Sequence, residues 1–139
     1  MINSKFCRHL VAVIFLLICS TAFTQSNIKT RYSNSTVYSG IEVGSKGVKM
    51  SVIEVGKNAK SSGALAILKD TSVNTDFITF SDETFLATLN GLTGLFNKAV
   101  KDYQIPPNNI FTVLSSGVKM QAEKDQKTAW MQRLIDSFR

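Results

Sequence analysis

Two short stretches of the chain gather glycine, hydroxyl-bearing and cationic residues at the end of an aliphatic run: GIEVGSKGVKM from Gly40 to Met50, and VLSSGVK from Val113 to Lys119. In the first, Gly44 and Gly47 expose backbone N–H groups, Ser45 adds a hydroxyl, and Lys46 and Lys49 add positive charge. Several donors of that kind together hold an oxyanion. In the second, Ser115, Ser116 and the Gly117 amide stand where a strand runs into a helix, with Lys119 one turn in. The positive end of the helix dipole makes such a junction a plausible phosphate site. Glu42 is acidic within an otherwise apolar strand, and a carboxylate there is costly unless it faces a cleft, a metal ion or a partner. Each loop also has a plainer explanation. Gly44 to Gly47 reads as a hairpin turn, and Ser115 as an N-cap that satisfies orphan amides. The spacing G-x-x-x-x-G-K-[ST] of a Walker A loop is absent. Placed at the same ends of adjacent parallel strands, the two loops together say more than either alone.

The elements that must position these residues follow from periodicity. Aliphatic and β-branched residues from Val37 to Val43 and from Val48 to Val55 predict a β-hairpin. The polar break GKNAKSSG, Gly56 to Gly63, leads to a third strand, ALAILKD, and a short extended piece near DFITF. Ser81 caps a helix that carries Asp82 and Glu83 in its first turn. Its apolar stripe is Phe85, Leu89, Leu92, Phe96, Val100 and Tyr103, with Gly91 and Gly94 permitting close approach to a neighbour. Pro106 and Pro107 cannot continue it. IFTVL, Ile110 to Leu114, is apolar on both faces, which predicts a central strand with two neighbours and helices on either side. A last helix starts near Val118 to Gln121 and runs to the end, with Trp130, Leu134 and Phe138 on one stripe beside Met131 and Ile135. The order β-β-β-α-β-α predicts an α/β domain whose mixed sheet looks unfinished.

At 139 residues and 44% hydrophobic, the chain is one globular domain at most. Lys5 and Arg8 precede the apolar run Leu10 to Cys19, followed by small and polar residues. Residues 1–24 therefore read as a secretory signal peptide, too short to span a bilayer comfortably. An uncleaved N-terminal membrane anchor is the alternative; lipid attachment at Cys19 is disfavoured by the bulky Ile18 before it. Residues 25–36 read as a flexible leader and 37–139 as the folded domain. Cys7, His9 and Cys19 all fall in the signal segment, so the mature chain has no disulfide, no cysteine or histidine catalysis and no zinc site built on them. Removing Lys5 and Arg8 lowers the net charge from +6 to +4, an excess that favours anions without resembling a nucleic-acid-binding tail. No membrane contact is expected after cleavage.

The segment YSGIEVGSKGVKMSVIEV resembles the first phosphate loop of the exopolyphosphatase and guanosine pentaphosphate phosphohydrolase (Ppx/GppA) family of the actin-like ATPase superfamily, roughly G-I-D-I-G-S-N-S-x-R. FSDETFLATLNGLTGLFNKAVKDYQI is similar to that family's first helix, and IFTVLSSGVKMQAE to its next strand and phosphate-contacting turn, commonly A-T-S-A-x-R-x-A-x-N. Glu42 stands where the family has aspartate, Lys46 and Gly47 replace Asn and Ser, Lys49 and Lys119 replace arginines, and Gln121 and Glu123 replace Ala and Asn. Lysine keeps the charge and loses the forked grip on phosphate.

The resemblance implies the N-terminal part of an incomplete actin-like, ribonuclease H-like domain. It implies polyphosphate or another phosphorylated anion as ligand and magnesium as cofactor. Glu42 would be the catalytic and metal-organising carboxylate. Gly44, Ser45, Lys46, Gly47, Lys49, Ser115, Ser116, Gly117 and Lys119 would bind phosphate. The family's catalytic glutamate, second phosphate loop and second domain have no counterpart in the resembling segment, so the exported chain is expected to bind phosphoanhydride without turnover. The alternatives are a non-catalytic anion-binding or protein-interaction module of the cell envelope, and a small structural domain in which both loops are only turns. An unfinished sheet edge at Ile110 to Leu114 also predicts self-association.

Overall fold

The structure, a computed structural model, describes residues 28–139. The signal-peptide reading of residues 1–24 lies outside the described residues. Strand β1 (Ser35–Val43) runs into β2 (Gly47–Gly56), a four-residue helix α1 (Ala59–Ser62), β3 (Leu65–Asn74), and helix α2 (Asp82–Lys101). Strand β4 (Ile110–Leu114) and helices α3 (Ser116–Lys124) and α4 (Thr128–Phe138) follow. The sheet has the order β3-β2-β1-β4. The pairs β1–β2 and β2–β3 are antiparallel, and β1–β4 is parallel. This is the expected mixed α/β architecture.

Period-two alternation decides which face of the sheet is buried. Ser39, Ile41 and Val43 on β1, and Val48, Met50, Val52 and Glu54 on β2, are all buried, while Gly40, Glu42 and Lys49 are exposed. Helix α2 covers that buried face with Phe85, Leu92, Leu95 and Ala99. Gly91 lets it approach closely: a Cβ there would meet Val73 Cγ1 at 3.4 Å and Val48 Cγ2 at 3.6 Å. Gly94, expected to serve the same purpose, is exposed and has nothing within 4 Å of such a Cβ. The buried stripe is also rotated from the expected one. Thr88, Leu95 and Ala99 are buried, and Leu89 and Phe96 flank them half-buried.

The expected cap of α2 is present in reciprocal form. Ser81 Oγ accepts the Thr84 N–H at 3.2 Å, and Thr84 Oγ1 accepts the Ser81 N–H at 3.2 Å. Helix α4 is fastened to α2 by its predicted stripe. Leu134 is buried, Phe138 meets Phe96 edge-on at 5.6 Å, and Trp130 lies 6.1 Å from Phe85. Arg133 stacks 4.1 Å over the Phe85 ring and donates to Asp82 at 2.6 Å. No helix among the described residues is long and apolar enough to cross a membrane.

Several elements differ from the sequence reading. DFITF is not extended but contains a 3-10 turn at Phe77–Thr79, and the polar break before β3 contains α1. The last helix is two helices. Between them Gln126 takes φ 57, the Lys127 N–H donates to the Ala122 carbonyl at 2.7 Å, and the Gln126 N–H donates to Glu123 at 3.3 Å. That is a Schellman closure with glutamine where glycine is usual, so no residue type announces it. Strand β4 is not central. Among the described residues it pairs only with β1, and the helices pack on one face of the sheet. Phe111 and Val113 therefore face outward, 58% and 56% exposed.

The segment before β1 is held by an acid. Glu54, 0% exposed, accepts the Arg31 N–H at 2.7 Å, the Tyr32 N–H at 2.9 Å and the Ser35 hydroxyl at 2.5 Å. The expected flexible leader is thus tied to β2 from Arg31 onward. Burial by itself would raise the Glu54 pKa. The bonds from Ser35, Arg31 and Tyr32 and the Arg31 charge outweigh it and hold the carboxyl below its ordinary value.

Because the folded-state pKa is depressed, the stabilisation from Glu54 is present above the ordinary glutamate value and is lost as pH falls through the depressed one. Glu54→Gln should lower the melting temperature near neutral pH, and thermal melts in acid should show the gap to wild type closing. Gln126→Gly should raise stability by up to about 1 kcal/mol in urea titrations by relieving the left-handed backbone of a side-chain-bearing residue.

Candidate anion-binding site

The parallel pairing sets Val43 opposite Leu114, so the two glycine- and serine-bearing loops leave the sheet at the same end. The Ser115 N–H donates to the Val43 carbonyl at 3.0 Å, which carries the ladder one residue further and brings the start of α3 beside the hairpin turn. The sequence-predicted convergence of Gly44, Ser45, Lys46 and Gly47 with Ser115, Ser116 and Gly117 is therefore realised by a direct backbone bond.

The turn is narrow and fixed. The Gly44 N–H donates to the Gly47 carbonyl at 2.8 Å, and the Lys46 carbonyl accepts the Thr75 N–H at 3.0 Å. A Cβ on Gly47 would stand 2.6 Å from the Val73 carbonyl oxygen, so glycine is required there by close backbone approach. Ser45 is half-buried and Lys46 is exposed. At the other loop, the Ser115 hydroxyl accepts the Val118 N–H at 3.3 Å. The capping role is thus filled, and the hydroxyl proton is left to donate elsewhere. Ser116 and Gly117 are exposed at the first turn of α3, where the helix dipole favours an anion.

The charged residues are distributed around this junction rather than focused on it. Glu42 and Lys49 are cross-strand partners, both exposed on the face of the sheet that carries no helix. Helix α3 rests on the other face through Val118 and Ala122. Lys119 lines a hollow of about 450 Å³ with Leu114, Thr128, Met131 and Gln132, and its ammonium lies 3.8 Å from Glu123. That hollow is shared with α4, and Glu123 lies one turn along the same helix. The geometry thus brings the two loops together and leaves Glu42 and Lys119 on different sides of them.

The expected cost of Glu42 does not arise, because water reaches it. A protein-held magnesium ion does not fit these residues. Glu42 has an ammonium as its cross-strand neighbour, and no group of three His, Cys, Asp or Glu side chains that could hold a metal exists among the described residues. The acid that burial does act upon is Glu54, and the sequence reading passed over it. Its signal was the alternation Val48, Met50, Val52, Glu54, which places all four on one face.

No protein-family model and no curated protein matches the chain. Among solved structures, the Aquifex aeolicus PPX-GPPA enzyme superposes with a TM-score of 0.54 at 13% identity, over 75% of this chain and 33% of that one. The type II variant crystal structure of the Aquifex aeolicus Ppx/GppA phosphatase gives 0.51 at 13% identity, over 71% and 32%. The likeness is one of fold. It shows that the α/β arrangement is shared with part of those proteins, and this chain spans about a third of the length of those two chains.

Gly47→Ala should cost about 1–3 kcal/mol in chemical denaturation, because the Val73 strand must move away from the new methyl group.

Proposed function

We propose that the joined ends of β1 and β4 bind a phosphorylated anion of the polyphosphate class and do not hydrolyse it. The observation that carries this reading is the Ser115 N–H bond to the Val43 carbonyl, which sets the hairpin turn and the N-terminus of α3 side by side. The Gly44 and Ser115 N–H groups are already bonded to carbonyls, so the donors that this reading assigns to the anion are the Ser116 and Gly117 amides, the Ser45 and Ser116 hydroxyls and the Lys46 ammonium. Lys49 and Lys119 enlarge the positive field from either side without both gripping the same oxygen.

Binding without turnover follows from the carboxylates. Glu42 is the acidic residue nearest the junction in the chain, its cross-strand partner is the cationic Lys49, and no group of three acidic or other metal-ligating side chains gathers among the described residues to organise a water. The fold shared with phosphatases supports a phosphoanhydride ligand, since the Aquifex aeolicus protein is named as a Ppx/GppA phosphatase. We read residues 1–24 as an export signal, with removal before the domain meets its ligand. Outside the cytoplasm ATP is scarce, which places polyphosphate ahead of a nucleotide.

Isothermal titration of the full chain with inorganic polyphosphate at low salt tests the reading. Binding should weaken as salt rises, and Lys46→Ala should lose about tenfold, the lower end for a charge-assisted contact because the lysine is exposed. Lys57→Ala, just beyond the far end of β2, should bind as wild type. Phosphate release with magnesium that disappears in Glu42→Ala would replace the binding reading with a hydrolase. Absence of binding at every salt concentration would leave both loops as turns.

A further inference from the structure

The two edges of the sheet are built differently. On β3 the outer edge carries Lys69 and Asp70, and its pairing with β2 shifts register between Val52 and Ile53. Charges and irregularities of this kind keep an edge from recruiting another strand. On β4 there is no charge, no proline and no shift: the strand is Ile110, Phe111, Thr112, Val113 and Leu114 in unbroken register with β1. Its outer side has no strand neighbour among the described residues. On one face Phe111 and Val113 are more than half exposed. On the other face a groove of about 350 Å³ opens between Thr112 and Leu114 on β4 and Leu134, Ile135 and Phe138 on α4.

We infer that β4 pairs antiparallel with β4 of a second copy, across a two-fold axis at Thr112, joining the two sheets into one. The occupant is identified by self-complementarity. Centred on Thr112, all five residues of the strand find a partner. Phe111 meets the partner's Val113, and Ile110 meets the partner's Leu114, which are the aromatic–β-branched and aliphatic cross-strand pairs that stabilise sheets. The described residues carry an excess of lysine and arginine, which opposes contact between copies over most of the surface. The strand Ile110–Leu114 brings no charge against itself. A two-fold axis normal to the sheet keeps the helices of both copies on one side, and the partner's Ile110 then covers the groove beside Leu114. A five-residue edge with one groove is small beside the roughly 1,200–2,000 Å² of a stable interface, so the dimer must be concentration-dependent. This inference does not rest on the anion-binding reading.

Sedimentation equilibrium of the full chain in reducing buffer tests it. The mass should rise from monomer toward dimer with concentration. Thr112→Lys and Thr112→Glu, each tested alone, should remain monomeric where wild type is dimeric, because like charges then stand opposite each other on the axis. Thr112 is exposed, so circular dichroism should confirm that both variants fold. Their equimolar mixture should recover the dimer, an outcome that a merely destabilised strand would not produce. A wild-type monomer at every concentration would overturn the inference. So would Thr112→Lys dimerising like wild type, which would place association elsewhere, such as the apolar run Leu10 to Cys19. A mixture that stays monomeric would overturn it as well.

Discussion

The structure depends on the burial of one face of a two-strand ribbon under one helix. Ile41 and Val43 on β1, and Val48, Met50 and Val52 on β2, are at most 2% exposed and share a core with Phe85, Leu92 and Leu95 of α2. Each such side chain contributes about 1.5–3 kcal/mol on leaving water, so together they outweigh any single polar interaction among the described residues. Gly91 sets how near the helix comes. Once α2 lies over β1 and β2, the opposite face of these strands is left to water. The alternation of Gly40, Glu42, Lys49 and Ser51 on that face agrees with that outcome.

The same constraint shapes the candidate site. With β1 paired to β2 on one side, its other side is free for β4, and the parallel register puts the strand ends together. Convergence of the loops is therefore a property of the sheet. Convergence of the charges is not, because Glu42 and Lys49 project from the open face while α3, carrying Lys119, packs against the covered one. The proposed binding is accordingly a diffuse attraction of an extended polyanion, because a tight grip on a single phosphoryl group needs several donors aimed at the same oxygens.

Local chemistry made much of this legible in advance. The hairpin, its glycine turn, the Ser81 cap and the Trp130, Leu134, Phe138 stripe each follow from residues within a few positions of one another. Three features did not. Glutamine in a left-handed helix closure carries no compositional signal, because the strain at Gln126 is tolerated only in view of the contacts made by the helices on either side. IFTVL has the composition of an interior strand whether or not a neighbour lies beyond it. The strand alternation places Glu54 on the buried face, but the partners that hold it there, Arg31, Tyr32 and Ser35, lie 19 or more residues away.

The amino-acid sequence by itself determined the strands, the principal helix with its cap, and the kinds of residue at the two loops. Those outcomes rest on backbone preference and hydrophobic period, which act over a turn of helix or a pair of strand residues. Only the tertiary structure decided that both loops meet at one end of the sheet, that Glu42 is solvated while Glu54 is buried, and that β4 lies at an edge. These depend on which strand pairs with which and on which face the helices cover, and both are settled by contacts between residues far apart in the chain.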